Sequence, residues 1–533
     1  LTQHEIVVRS LSDVFCSFFP DKDIREQQQT AFDFIETGKQ TKHIILGLPT
    51  GSGKSIAGMT YGLSFEEPFF VTTPQKMLQK QYIDTIDESL IGTFYGRSNY
   101  TCVFSNELNE TNCENGHVPG AECPDCPYKA ARIFALSKQA CIVNTALQFN
   151  NTPTPAFKER RVLIIDEAHN LEKVLCDFNM LTISKNRCEK LNIDYPKIKN
   201  GELKKFLKFA NEKFIPAVTD EFIDYYNKHS TLIDYIKRCF ADDEKPELTD
   251  TERKISARYN KLKSGLDTLK KKLSDADESP ENFVLCTTNH TLDMKYLKAH
   301  VNFIKYIESQ YDHVLYMSAT FGSLDGFARD MGITDYKCLD VDPFFENANG
   351  SFKFIPLARN TAKVTDEQLG KLFTGMLNIV QHHNDQKGII HTVNYKQNSI
   401  VCDVLESHGI KVFTHESKDK IDKLEEFMEY AGPAVFVSPS STEGLDLPDD
   451  LCRFIIFTKV PWLNLGDQWV KERMKDGDWY LRQAVITTIQ ACGRGIRHMD
   501  DWCNIYMLDE SFDRIIPEMG RWYTNQFKKG VGR

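Results

Sequence analysis

Short, unbroken apolar runs recur along the chain, and each one gives way to a polar or glycine-rich loop. HIILG opens residues 43–55 (HIILGLPTGSGKS), VLII lies within 161–170 (RVLIIDEAHN), and HVLYM opens 313–322 (HVLYMSATFG). KGIIHTVNYKQ at 387–397 and AVFVSPSSTEGLDLPDD at 434–450 repeat the pattern in the second half. A continuous apolar run bounded by turn signals is the pattern of a strand covered on both faces, so the spacing predicts parallel sheets with helices between the strands. Between about residues 171 and 278 the period changes. GELKKFLKFANEKFIPAV and ERKISARYNKLKSGLDTLKKKL carry apolar residues at roughly helical spacing with lysines between them, which predicts a helical insertion.

Length and composition place these elements in a large globular chain. At 533 residues it exceeds the size at which one core keeps growing, so two to four domains are expected. The first residues, LTQHEIVVRSLSDVF, are interrupted by His4, Glu5, Arg9 and Asp13, and no window is long and apolar enough to cross a bilayer. The expectation is a soluble intracellular protein without a membrane partner. A net charge of -10 argues against polyanion binding by the whole surface, but a translocating enzyme needs only a locally positive groove.

Candidate chemistry begins at the first loop. Gly51, Gly53, Lys54 and Ser55 follow an apolar run and precede IAGMTYGL, which can open a helix. Glycines let backbone N–H groups close around phosphates at a helix N-terminus, Lys54 can reach the β and γ phosphates, and the Ser55 hydroxyl can ligate magnesium. The strict pattern has glycine five residues before Gly53, where this chain has Leu48, so the match is to a looser variant. VLII then ends in Asp166 and Glu167. A carboxylate at the end of a parallel strand beside a phosphate loop can hold magnesium, while its neighbour orients and deprotonates the attacking water. In the second half QAVITTIQACGRGIRH supplies Gln490, Arg494 and Arg497. An arginine brought from a neighbouring lobe stabilises charge on the transferred phosphoryl group and is worth about 10³–10⁵ in rate.

Most of the fifteen cysteines are scattered, as small buried hydrophobes are. Cys102, Cys113, Cys123 and Cys126 are different, because they crowd a segment rich in Asn, Gly and Pro between the phosphate loop and DEAH. Such a segment builds little core but can wrap a metal centre. Structural zinc sites usually pair two short Cys knuckles, and only Cys123 and Cys126 make one here, so spacing alone leaves zinc and an iron-sulfur cluster open.

The ordered set of GSGKS at 51–55, DEAH at 166–169, SAT at 318–320 and QACGRGIR at 490–497 resembles the motifs of superfamily 2 helicases. The four-cysteine insertion, introduced by GRSNYTC and closed by CPYKAAR, resembles the XPD/DinG iron-sulfur branch, as do REQQ at 25–28 and KVPWLNLGD at 459–467. The resemblance implies an α/β protein with two RecA-like parallel-sheet motor domains. It divides the chain into motor domain 1 (1–95, 136–175 and 279–342), a cluster domain at 96–135, a helical Arch at 176–278 and motor domain 2 at 343–533. It implies a [4Fe-4S] cluster on Cys102, Cys113, Cys123 and Cys126, with MgATP held by Arg25, Gln28, Gly51, Gly53, Lys54, Ser55, Asp166, Gly444 and Asp446. Glu167, Gln490, Arg494 and Arg497 are the expected catalytic groups, and Thr73, Arg97, Tyr100, Lys129, Arg132 and Thr392 the expected DNA contacts.

The activity so implied is ATP-dependent unwinding of DNA, moving 5′ to 3′ on single strands and loading on single-stranded tails, by a monomer in a bacterial, archaeal or virus-infected cell. A translocase that remodels complexes without separating strands shares every motif. A non-catalytic redox or nucleic-acid-binding module does not need the nucleotide set.

Overall fold

The computed structural model of the chain describes residues 10–101, 126–151, 157, 159–241, 249–343, 350–361, 363–392, 394–416, 418–439, 447–496 and 501–530. Glu26–Gly38 forms α1, His43–Gly47 β1, Lys54–Leu63 α2, Phe69–Thr73 β2, Lys76–Thr85 α3, Ile91–Thr93 β3, Pro127–Ser137 α4, Ala140–Asn144 β4 and Val162–Ile165 β5. Beyond DEAH come α5 (Leu171–Phe178), β6 (Leu181–Ser184), α6 (Ile215–Ala241), α7 (Asp250–Glu278), β7 (Phe283–Thr287) and β8 (Thr291–Tyr296). They are followed by β9 (His313–Ser318), α8 (Leu324–Met331) and β10 (Tyr336–Asp340). The second half contributes β11 (Phe352–Ala358), β12 (Lys387–His391), β13 (Val412–Thr414), β14 (Ala434–Ser438) and β15 (Phe454–Phe457). Helices α9 (Gln468–Arg473) and α10 (Trp479–Cys492) precede the last strand, β16 (Asn504–Asp509).

Seven strands form one sheet in the order β10-β1-β9-β5-β2-β4-β3, and six form another in the order β11-β16-β15-β12-β14-β13. Every pairing in both sheets is parallel. The continuous apolar runs follow from that arrangement, because helices cover both faces and side chains alternate between two cores. In β1, Ile45 packs on one side with Leu163 and Tyr316, while Ile44 and Leu46 pack on the other with Ile164 and Met317. The second sheet divides likewise, Ile389 and Phe436 to one face, Ile390 and Val437 to the other. The fold is the α/β pair of parallel-sheet lobes that the pattern predicts.

The helical insertion is a hairpin of α6 and α7, of 27 and 29 residues. A capping box starts α7: Thr249 Oγ1 accepts from the Glu252 amide, and Glu252 accepts in return from the Thr249 amide at 2.8 Å. The hydrophobic pattern does not announce the small antiparallel sheet β6-β8-β7 at the hairpin's base. Its strands are four to six residues long, and one follows a helix whose polar end masks the change of period. One feature crosses the lobes: Trp469, Val470 and Trp479, from α9 and α10, are buried in the core of the first lobe.

Candidate active site

The phosphate loop joins β1 to α2. Gly51 and Gly53 have φ of 81° and 79°, the left-handed region in which a β-carbon is costly. A β-carbon on Gly53 would also strike the Gln28 amide. That amide donates to the Gly53 carbonyl at 3.1 Å, and the Arg25 guanidinium donates to the Gly51 carbonyl, so REQQ at the start of α1 braces the loop from outside. Leu48, which departs from the strict pattern, is fully buried among Ile44, Leu46 and Met317, and its amide bonds the Ser318 carbonyl at 2.9 Å. Core packing explains the leucine.

Lys54, at the start of α2, reaches across to the strand ending in Asp166 and Glu167. Its ammonium lies 3.3 Å from Asp166 Oδ1 and is ion-paired with Glu167. Burial alone would lower the Lys54 pKa, but the two carboxylates raise it above the ordinary range. Glu167 also feels the cost of burial, yet Lys54 and His169 hold it well below the usual carboxylate range. Asp166 is pushed up by burial and by Glu167, and it accepts from the Tyr82 hydroxyl at 3.1 Å and the Glu167 amide at 2.9 Å. Tyr82 comes from α3 and belongs to none of the motifs; its sequence signal is its place within the helix that follows the strand ending in Thr73. The Glu167 backbone has φ 51°, a conformation that costs a non-glycine residue about 1–2 kcal/mol. The strain aims its carboxylate at Lys54 and His169.

His169 connects this site to the second lobe. Its Nε2 accepts from the Gln490 side-chain amide at 2.6 Å, which leaves the ring proton on Nδ1, 2.7 Å from Ser318 Oγ and 3.3 Å from Glu167 Oε2. The Thr320 amide donates to the same Ser318 oxygen at 3.0 Å. DEAH, SAT and the glutamine of QACGRGIR therefore meet at one imidazole. Thr50, Glu167, His169, Gln490 and Arg494 all line a cleft of about 730 Å³ between the lobes.

Other expected residues lie elsewhere. Arg497, Gly444 and Asp446 fall outside the described residues, as do Cys102, Cys113 and Cys123. Cys126 is described: it caps α4 and is buried beside Tyr128, Phe94 and Phe157 in the first lobe's core. Among the described residues no group of three His, Cys, Asp or Glu side chains is arranged to hold a metal ion. Arg97 stacks over the Tyr128 ring at 5.1 Å, and Tyr100 meets the same ring edge-on at 5.7 Å, so this trio packs together. Arg132 lies over Phe157, and Lys129 is exposed on the same helix. Thr73 and Thr392 are fully buried. Their hydroxyls turn inward, the first to the Gln75 carbonyl at 3.1 Å, the second to Asn398 at 3.1 Å.

With the geometry in place, comparison with known proteins covers both lobes. Residues 376–530 match the helicase C-terminal domain model, and residues 21–194 match the model of the type III restriction enzyme res subunit. The ATP-dependent DNA helicase YoaA of Escherichia coli is 22% identical over 92% of this chain and 91% of its own length. In these matches the chain is similar to the XPD/DinG-like superfamily 2 helicases. The ATP-dependent DNA helicase CHL1 of Vanderwaltozyma polyspora is 28% identical, but over 22% of this chain and 18% of that longer protein. In fold, an XPD helicase structure superposes with a TM-score of 0.59 at 15% identity, over 96% of this chain and 98% of that one. Xpd4 of S. tokodaii gives 0.56 at 14%, over 93% and 98%. No helix among the described residues is long and apolar enough to cross a membrane.

Proposed function

We propose that this helicase uses ATP hydrolysis to move 5′ to 3′ along single-stranded DNA and to unwind duplexes entered from a single-stranded tail. The observation that carries the reading is the His169 junction, where Glu167 of one lobe and Gln490 of the other share a single imidazole. A change at the γ-phosphate is thereby felt at the lobe interface, which is the coupling a motor needs.

The residues divide the work. Backbone amides of the loop at Gly51 and Gly53 cradle phosphate, and Lys54 exchanges its carboxylate partners for phosphate oxygens when nucleotide arrives. Asp166 and Ser55 would hold the magnesium that accompanies ATP, polarising the γ-phosphate. Glu167, freed from Lys54, accepts a proton from the attacking water, and its ionised state at neutral pH suits a base. Gln490 positions the γ-phosphate, and Arg494, with Arg497, neutralises its developing charge. Arg25 and Gln28 keep the loop in shape. Gly444 and Asp446 complete the nucleotide contacts from the second lobe.

We also assign Cys102, Cys113, Cys123 and Cys126 to a [4Fe-4S] cluster. The described member fits: a buried thiol at a helix N-terminus suits a soft, anionic ligand anchored in a core. The cluster would supply a rigid tie across the segment, and Arg97, Lys129 and Arg132 beside it supply charge for a DNA backbone. Helices α6 and α7 serve as the Arch. Duplexes carrying either a 5′ or a 3′ single-stranded tail, incubated with ATP and magnesium, test the assignment. Unwinding of the 5′-tailed duplex is expected; unwinding confined to 3′ tails reverses the polarity, and ATP consumption without strand separation favours the remodelling translocase.

A further inference from the structure

The end of DEAH and the helix turn that follows it hold α10 at two places. His169 meets Gln490 near the helix's C-terminus, and Glu172, in the first turn of α5, meets its beginning. Glu172 Oε2 accepts from the Trp479 indole at 2.9 Å. Glu172 Oε1 accepts from Arg473 Nε at 3.1 Å and from Nη2 at 2.8 Å. Arg473, the last residue of α9, is wholly buried, and its Nη2 also donates to Asp330 of α8 at 2.9 Å. Arg482, one turn beyond Trp479, pairs with the other oxygen of Asp330. A buried second-lobe arginine is therefore paired with two first-lobe carboxylates, besides Asp476 of its own lobe.

Small residues on the first lobe let α10 come this close. A β-carbon on Gly326 would lie 2.6 Å from Arg482 Nε, and one on Gly322 would lie 3.0 Å from Ile486. Trp469 adds a further tie, donating to the Tyr296 carbonyl at 3.0 Å. From Trp479 to Gln490 the helix is continuous, roughly 16 Å of rigid rod.

We infer that Glu172, Arg473 and Trp479 are positioning residues: they fix the start of α10 to the first lobe, and so set where Gln490 and Arg494 stand against the γ-phosphate. The inference rests on the proposed ATP hydrolysis. It adds a remote anchor to that reading, since none of the three side chains lies among the lining of the nucleotide cleft. Transition-state groups tolerate little misplacement: about 1 Å of error costs roughly 10²-fold in rate. The phosphate loop stands apart from the anchor, so ground-state nucleotide binding is spared.

The test is steady-state ATP hydrolysis by the full chain with single-stranded DNA, together with hydrogen exchange along α10. Arg473→Met, which keeps volume but removes the charge, is expected to lower kcat by about 10- to 100-fold with KM for ATP changed by less than about threefold. Backbone exchange near Gln490 quickens. Arg473→Lys restores part of the rate, because it returns charge without the planar fork. Trp479→Phe removes the indole donor and part of the ring while staying aromatic; it follows the same pattern to a smaller degree, and serves if Arg473→Met does not fold. Arg329→Ala, at the exposed pair with Asp478, leaves both constants unchanged. Unaltered kcat in a folded Arg473→Met or Trp479→Phe protein overturns the anchor, as does unaltered exchange along α10. Absence of ATP turnover in the wild-type protein instead overturns the functional reading, while the exchange comparison still decides whether α10 is anchored.

Discussion

At the scale of single residues, the site holds its charged groups in mutual ion pairs. Lys54, Asp166 and Glu167 satisfy one another in a buried place where none would stand alone, and on the proposed function a nucleotide would exchange for those pairs. Glu167→Gln keeps the shape of the side chain and removes the base. It is expected to bind ATP within a few fold of wild type and to lose about 10²–10⁴ in turnover, read by nucleotide-binding titration and phosphate release. Glu172 carries a pH signature of its own. Burial, helped by Asp330 and opposed by Arg473, pushes it from 4.5 up to about 7. Cys176, Asp476, Arg482 and His300 are the other ionisable groups of the surrounding network, and burial lowers His300. A carboxyl whose pKa the fold raises contributes stability that is complete below its unfolded pKa and is lost as pH rises through its folded one. Glu172→Gln escapes that loss. Relative to wild type it should gain up to roughly 3 kcal/mol between pH 4.5 and 7, then level off, in urea unfolding followed across that range.

At the scale of elements, two glycines in helices separate contact from propensity. Gly326 of α8 faces Arg482, whose guanidinium is committed to Asp330 and Asp478, so the arginine has little freedom to retreat. Gly265 of α7 has nothing within 4 Å of the point where a β-carbon would stand. Gly326→Val is expected to destabilise by about 1–3 kcal/mol through overpacking. Gly265→Ala should stabilise by about 0.5–1 kcal/mol through helix propensity alone. Thermal and denaturant unfolding distinguish the two signs. The elements themselves are legible in the sequence where they are long or obligatory. Apolar runs such as HIILG and VLII read as buried strands because parallel sheets hide both faces, and GSGKS reads as a loop because only glycine tolerates its φ. Strands β6 and β8 are not legible, since LTIS and TLDMKY mix polar with apolar residues over only four and six positions.

At the scale of the whole molecule, the question is what holds the segment between the phosphate loop and DEAH. If four thiols bind a [4Fe-4S] cluster, anaerobically purified protein is brown, with about four iron and four sulfide per chain. Cys126→Ser is expected to lose the iron and the colour while Lys54 and its carboxylates keep ATP binding intact. Colourless protein with one zinc per chain would replace the cluster with a zinc site.

The sequence by itself determined the chemistry that is local in the chain. The phosphate loop, the Asp166–Glu167 pair, the glutamine and arginines near residue 490 and the two-sheet class each depend on residues adjacent in sequence, where dihedral preference and side-chain period act directly. Tertiary structure alone decided the pairings across the lobes and between distant elements: His169 with Gln490, Tyr82 with Asp166, Glu172 with Arg473 and Trp479. A buried charge needs a partner, but any carboxylate brought near enough will serve, and which one arrives depends on how two sheets and their helices pack. For the pairings along α10 the close approach at Gly322 and Gly326 permits that choice, and neither glycine differs in sequence from one in an ordinary loop or helix.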